Sequence, residues 1–237
     1  MNADAGGTAA VLFGSIGTLV ETSDLQRRAF NAAFHEAGLP WDWDSTTYRA
    51  MLTRPGGRAR IEQQAALYGR EVDAAALHRR KTQIFSAMVD SLDLPLRRGV
   101  ADTMSAARDA GMLLGLVSTT AIETIERLLD ASHPPLALGA FDLVMSAADV
   151  ACPKPSPEVW CKALARLGLP AGRAVAIEDS PESAGSALRA GIRTVAAPGA
   201  FHAGREFPDA ASIVDPLSPE ALGLPMPVEL EQSGRLG

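Results

Sequence analysis

Six short apolar runs separated by amphipathic stretches limit the architecture of this chain more than any other feature of it. The runs are Ala9–Phe13, Leu113–Val117, Leu143–Met145, Ala174–Ile177, Thr194–Ala196 and Ser212–Val214. They are strand-length and bounded by turn residues. Between most of them lie helical patterns over Val100–Ala110, Ile122–Leu129, Pro157–Leu167 and Pro181–Ala190. Gly111, Gly168 and Gly191 sit just past three of those helix ends, where a left-handed residue is wanted. Strands alternating with helices predict an α/β fold, a parallel sheet covered on both faces.

One stretch breaks the alternation. Residues 22 to 93 hold no convincing strand and read as four helices: Leu25–Ala37, Ser45–Leu52, Arg58–Tyr68 and Ala74–Val89. The expected organisation is therefore a core from residues 1–19 and 97–237, a helical cap from residues 20–96, and a loosely ordered tail from about residue 225 to 237. Ligands of an open parallel sheet bind at the carboxyl ends of its strands. An insert leaving from the first such end would lie over that site as a lid.

Bulk properties narrow the function classes. The 237 residues, 47% hydrophobic, suffice for one sizeable core with a smaller appended unit. A net charge of -6 without a basic block argues against nucleic acid and against a membrane surface. No apolar run approaches membrane-spanning length, and the first ten residues lack the features of a signal peptide. Cys152 and Cys161 fit neither a zinc site nor a redox pair, so they read as ordinary reduced thiols, buried or half-buried, in a cytoplasmic protein. Trp41 and Trp43 are expected to pack the helical insert, and His35 and His133 lack metal-site spacing.

The chemistry should sit at the strand ends. The first strand runs into Gly14-Ser15-Ile16-Gly17-Thr18, a turn with no carboxylate before Glu21. The second is followed by Ser118, Thr119 and Thr120 at a helix start. That is either a phosphate cradle or plain helix capping. Lys154 is boxed between two prolines, either an aimed ammonium or a solvated loop residue. Glu178-Asp179-Ser180 ends the strand Ala174–Ile177. Two adjacent acids at a buried strand end need a cation or donors, although Asp179 or Ser180 could simply cap the next helix.

Hydroxyl, lysine and acid pair in that order resemble the haloacid-dehalogenase-like (HAD) phosphatases. The matching segments are "GTLVET", "LGLVST", "KPSPEVW" and "EDSPESAGSALRAG". Within the insert, "GLPWDWD", "YRAML", "GGRARI", "LHRRKT" and "LPLRRGV" resemble the CbbY-type branch, whose members dephosphorylate sugar phosphates. The resemblance implies a Rossmann-like parallel-sheet core with a four-helix cap inserted after the first strand, and a monomer. It makes Ser118 and Thr119 phosphate-binding, Lys154 the lysine that steadies phosphate and nucleophile, and Asp179 with Glu178 the magnesium site. Gly56, Gly57, Arg58 and Arg60 match the cap's substrate loop, and His78 and Lys81 a second cap motif.

The family's first motif carries an aspartate nucleophile and, two residues on, an aspartate acid–base. This chain has Gly14 and Ile16 there, and Gln26 where many relatives have a histidine. Glycine cannot attack phosphorus and isoleucine cannot move a proton. The first aspartate also binds metal, so magnesium would be held more weakly. Three readings follow: a catalytically silent binder of a sugar phosphate or of a protein partner, an active phosphatase of altered mechanism, or a structural interaction module with no phosphate site.

Overall fold

The computed structural model describes residues 7–14, 16–53, 56–207 and 212–224. The expected tail from residue 225 and Ser15 of the first turn lie outside the described residues. Strand β1 (Ala10–Phe13) leads into a single helical turn, α1 (Ile16–Leu19), where the sequence pattern shows only a turn. The helices α2 (Ser23–Glu36), α3 (Ser45–Met51), α4 (Gly57–Leu67) and α5 (Ala74–Val89) come next, as the periodicity predicts.

The chain then returns through β2 (Leu94–Pro95) and continues as α6 (Val100–Asp109), β3 (Leu113–Val117), α7 (Ile122–Asp130), β4 (Ser132–His133) and β5 (Leu143–Met145). The last part comprises α8 (Glu158–Leu167), β6 (Ala174–Glu178), α9 (Pro181–Arg189), β7 (Arg193–Ala196) and β8 (Ser212–Ile213). Six strands form one parallel sheet in the order β5-β3-β1-β6-β7-β8. β2 and β4 form a separate two-residue parallel pair that the sequence reading did not foresee.

Period-two alternation along β1 shows why helices cover both faces. Val11 and Phe13 enter one buried cluster with residues of α6 and α7, while Ala10 and Leu12 enter another with residues of α8 and α9. Gly111, Gly168 and Gly191 all have positive φ, as helix-terminating glycines should.

The four helices after β1 have their own aromatic core. Phe30, Phe34, Trp41, Trp43 and Tyr48 pack together, and Asn31 pairs with both the backbone N–H and the carbonyl of Trp43 at 2.9 Å. Both tryptophans are buried, so their expected packing role holds. The two linkers of this helical region run side by side: Val20 bridges Leu96 antiparallel, and the Arg97 N–H donates to the Leu19 carbonyl at 2.8 Å. Cys152 and Cys161 are free and exposed, which corrects the expectation of buried or half-buried thiols. The polar loop before α8 and the outer face of that helix carry them. No helix among the described residues is long and apolar enough to cross a membrane.

Candidate functional site

The sheet register builds the site. Phe13 lies level with Leu116 on one side and with Ile177 on the other. The next residue of each strand, Gly14, Val117 and Glu178, therefore ends three neighbouring strands at one height. Lys154 reaches this level from the loop before α8. Its Nζ donates to the Gly14 carbonyl at 2.6 Å, the Val117 carbonyl at 2.8 Å and Glu178 Oε1 at 2.6 Å. The ammonium also lies 4.4 Å from the Trp160 ring centre. An ammonium has three N–H groups, so these acceptors use its full donor set.

Glu178 is completely buried. Burial pushes its carboxyl up to about 7, against the downward pull of Lys154. Its position depends on what residue 14 lacks. A Cβ built on Gly14 would fall inside the Glu178 carboxylate, far closer than non-bonded atoms approach. Glu178 thus occupies the space a side chain at position 14 would need. Gly17 has the same relationship with the half-buried Asp179. Ile16, which the resemblance aligns with the family's acid–base, packs half-buried against two apolar clusters and does not line the cleft.

Ser118 is buried at the end of β3, and its Oγ accepts from the Thr120 N–H at 3.1 Å. That is a local turn bond; a phosphate would have to share the hydroxyl with it. Ser180, not Asp179, caps α9, accepting from the Ser183 N–H at 3.4 Å.

Above the strand ends, a cavity of about 260 Å³ is lined by Gly14, Ser118, Thr119, Lys154 and, from the helical region, Leu52 and Arg60. It adjoins a cavity of about 540 Å³ bordered by Gly56, Gly57, Arg60, His78, Lys81 and Asp179. The two share Leu52, Gly56, Arg60, Thr119, Thr120 and His202, so they form one cleft under the helices. The structure brings together nearly every residue that the resemblance singles out. The exceptions are Ile16, the fully buried Glu178 and Arg58, which is exposed and pairs with Glu62 at 2.7 Å; none of the three lines the cleft.

Lys81 is buried between the rings of Phe30 and Phe85 and donates to Gln26 Oε1. Burial first, and Arg60 second, lower its ammonium to about 7. His78 stands against Gly57, where a Cβ would collide with its ring, and burial lowers its pKa too.

The sequence reading missed the loop after β7. His202 is buried and lines both cavities, and Arg205 donates toward its Nδ1 at 3.1 Å while pairing with Glu182. Arg97 donates to the carbonyls of Gly17, Ala197 and Pro198 at 2.8, 2.9 and 2.7 Å. It thereby ties the returning linker to the turn after β1 and to the β7 loop. The strand-end rule that singled out Ser118, Lys154 and Glu178 would also have pointed to "PGAFHAGREF", which leaves the same edge of the sheet.

The residues present do not suit magnesium. Among the described residues no three His, Cys, Asp or Glu side chains converge on one point. Of the acid pair, Glu178 already has a cation in Lys154. Magnesium wants an octahedral set of oxygens including anionic ones, and position 14 offers only a carbonyl that Lys154 already uses.

A parallel sheet of this order, a cleft at its carboxyl edge and a helical region inserted after β1 define an α/β protein whose ligand site lies between a core and an inserted helical region. The chain belongs to the haloacid dehalogenase-like hydrolase family, whose model matches residues 8–191. Within that family its likeness is to the CbbY proteins. It is 38% identical over 211 residues to Protein CbbY of Cereibacter sphaeroides, covering 87% of this chain and 91% of the relative. It is 36% identical over 231 residues to the plasmid-encoded CbbY of Cupriavidus necator, covering 92% and 89%.

The crystal structure of CbbY from Rhodobacter sphaeroides in complex with phosphate superposes with a TM-score of 0.81 at 35% identity, covering 92% of this chain and all of that one. A mutant form of that CbbY in complex with xylulose-(1,5)bisphosphate gives a TM-score of 0.79 at 36% identity, covering 88% and 94%. The six-stranded sheet and the helices after β1 correspond to the core and cap of this family.

Proposed function

We propose that this protein is a non-hydrolysing member of the CbbY branch that binds a phosphorylated sugar in the cleft between core and cap. In this reading residues 1–19 and 97–237 act as the core and residues 20–96 as a cap that covers the ligand. Gly14 and Ile16 stand where the family's nucleophile and acid–base belong.

The observation that carries the reading is the Glu178 carboxylate in the space beside Gly14. Phosphoryl transfer to the enzyme needs a carboxylate that can approach phosphorus in line. Glycine offers none. Glu178 is fully buried and held by Lys154, so it cannot take over the attack. Protonation of the leaving alcohol needs an acid facing the cleft from position 16, and Ile16 faces the apolar clusters instead. What remains is suited to recognition. Hydroxyls of Ser118 and Thr119 lie on one side of the cleft and Arg60, His78 and Lys81 on the other. The xylulose bisphosphate bound to a CbbY relative supports the ligand class.

The test pairs turnover with binding. Phosphate release from xylulose 1,5-bisphosphate and a panel of sugar monophosphates, with magnesium present, is expected to fall about 10⁴-fold or more below that of the Cereibacter sphaeroides protein. Calorimetry with the same compounds should show heat of binding. Turnover at the relative's rate overturns the silent reading; absence of binding by every compound favours a structural module or a protein partner.

A further inference from the structure

Lys154 and Glu178 together show a feature that the family resemblance does not contain. The ammonium expected to steady a phosphate is already satisfied by the Gly14 and Val117 carbonyls and by Glu178 Oε1. The Glu178 carboxylate fits there because residue 14 has no side chain.

We propose that Glu178 is the resident anion of this chain's own phosphate site. It holds Lys154, keeps a ligand's phosphate away from that lysine, and leaves Arg60 on the cap as the cation on which the phosphate rests. The proposal builds on the reading of the cleft as a sugar-phosphate site and specifies how the ligand lies in it.

Charge is divided across the cleft in the way the proposal requires. On the core side, Glu178 offsets Lys154, and Glu182 is paired with Arg205. Both of these core cations therefore already have a carboxylate partner. On the cap side, Arg60 lines both cavities, with Lys81 and His78 beside it and no acid among the residues that line the larger cavity from the cap. A phosphate entering this field is drawn to the cap rather than to the floor. The hydroxyl end of a sugar suits the floor, where Asp179 can accept and Ser118 can donate or accept. The ligand class is a phosphorylated polyol, oriented with a terminal phosphate toward the cap.

The proposal is tested by titrating inorganic phosphate and xylulose 1,5-bisphosphate into the 237-residue chain and its variants by calorimetry, with circular dichroism confirming the fold. Glu178→Gln removes the carboxylate charge that offsets Lys154 and keeps the shape. It is expected to tighten inorganic phosphate binding by about tenfold or more, since a charged partner strengthens such bonds. The double variant Glu178→Gln/Lys154→Met leaves no unpaired buried charge and should lose that gain.

In the otherwise unaltered protein, Arg60→Ala should weaken the bisphosphate about tenfold or more. A folded Glu178→Gln variant that binds phosphate no better than the unaltered protein overturns the proposal, as does unchanged bisphosphate affinity in Arg60→Ala. If the unaltered protein binds neither compound while Glu178→Gln binds phosphate, the resident-anion role stands and the sugar-phosphate reading falls. If no variant binds either compound, both fall.

Discussion

The ring of Phe201, on the loop that leaves β7, meets the ring of Tyr48 on α3 edge-on, with centroids 5.9 Å apart. The core loop is thereby lodged in the aromatic cluster of the cap. Two polar contacts flank it: Arg49 donates to the Ala200 carbonyl at 3.0 Å, and the Ala200 N–H donates to Glu21 at 2.6 Å. Cap and core are latched on the side of the cleft that His202 lines. Phe201→Ala removes the ring that seats the core loop in the cap's aromatic cluster and should cost about 3 kcal/mol in urea-induced unfolding, the ordinary loss for a buried phenylalanine. Cleavage by trypsin at Arg97, in the returning linker, should become faster at the same time. An unchanged urea midpoint together with unchanged proteolysis shows that the latch does not hold the cap.

Lys154 contributes to stability as well as to the site. Lys154→Met leaves Glu178 fully buried without its cation, a loss that typically costs about 3–5 kcal/mol. Lys154→Met/Glu178→Gln removes both charges and should recover much of that. Urea denaturation of the two variants checks the pair; equal destabilisation in both means that the carboxylate was not the cause.

Residue 14 and residue 178 compete for one volume. Gly14→Asp places a second carboxylate against Glu178, so both crowding and like charge oppose it, and a loss of about 2–3 kcal/mol is expected. Adding Glu178→Ala vacates the space and lets the new aspartate take over the Lys154 contact. The double variant should then be more stable than Gly14→Asp alone, with a coupling above about 1 kcal/mol. Additive effects in the thermodynamic cycle would show that the two positions are independent.

The backbone of this structure was largely legible in the sequence, and the charges at its centre were not. Alternation placed β1, β3, β5, β6 and β7 and the helices between them, because a strand buried on both faces is a run of apolar residues. The insert was legible because it holds no strand-like apolar run and because α2 and α5 carry apolar faces. Short elements were not: α1 and the β2–β4 pair are held by a few backbone hydrogen bonds and have no periodicity to read.

At the site, strand-end reasoning found Ser118, Lys154 and Glu178 separately. It could not show that Lys154 would spend its donors on Glu178 and two carbonyls, because that follows from the register of three strands distant in sequence. His202 and Phe201 were missed because the loop carrying them has no motif, only a position at the same edge of the sheet.

Lys81 should give the protein a recognisable pH dependence. The groups around it are Gln26 and Phe30 of α2, Arg60 of α4, and His78 and Phe85 of α5. None is an acid, so burial and the neighbouring guanidinium lower the ammonium from 10.5 to about 7. In the unfolded chain the same lysine titrates near its ordinary value of about 10.4. Between these two values the unfolded state binds more protons than the folded one, so stability rises with pH across that window. Below about pH 7 both states are protonated and this contribution is flat. The slope from one such group is at most about 1.4 kcal/mol per pH unit. Lys81→Met removes the titration and retains an unbranched apolar stem. In urea melts from pH 7 to pH 10, the variant should start with the higher midpoint and lose that advantage as the unaltered protein gains stability. Curves that stay parallel across this range would mean that Lys81 keeps an ordinary pKa in the folded protein.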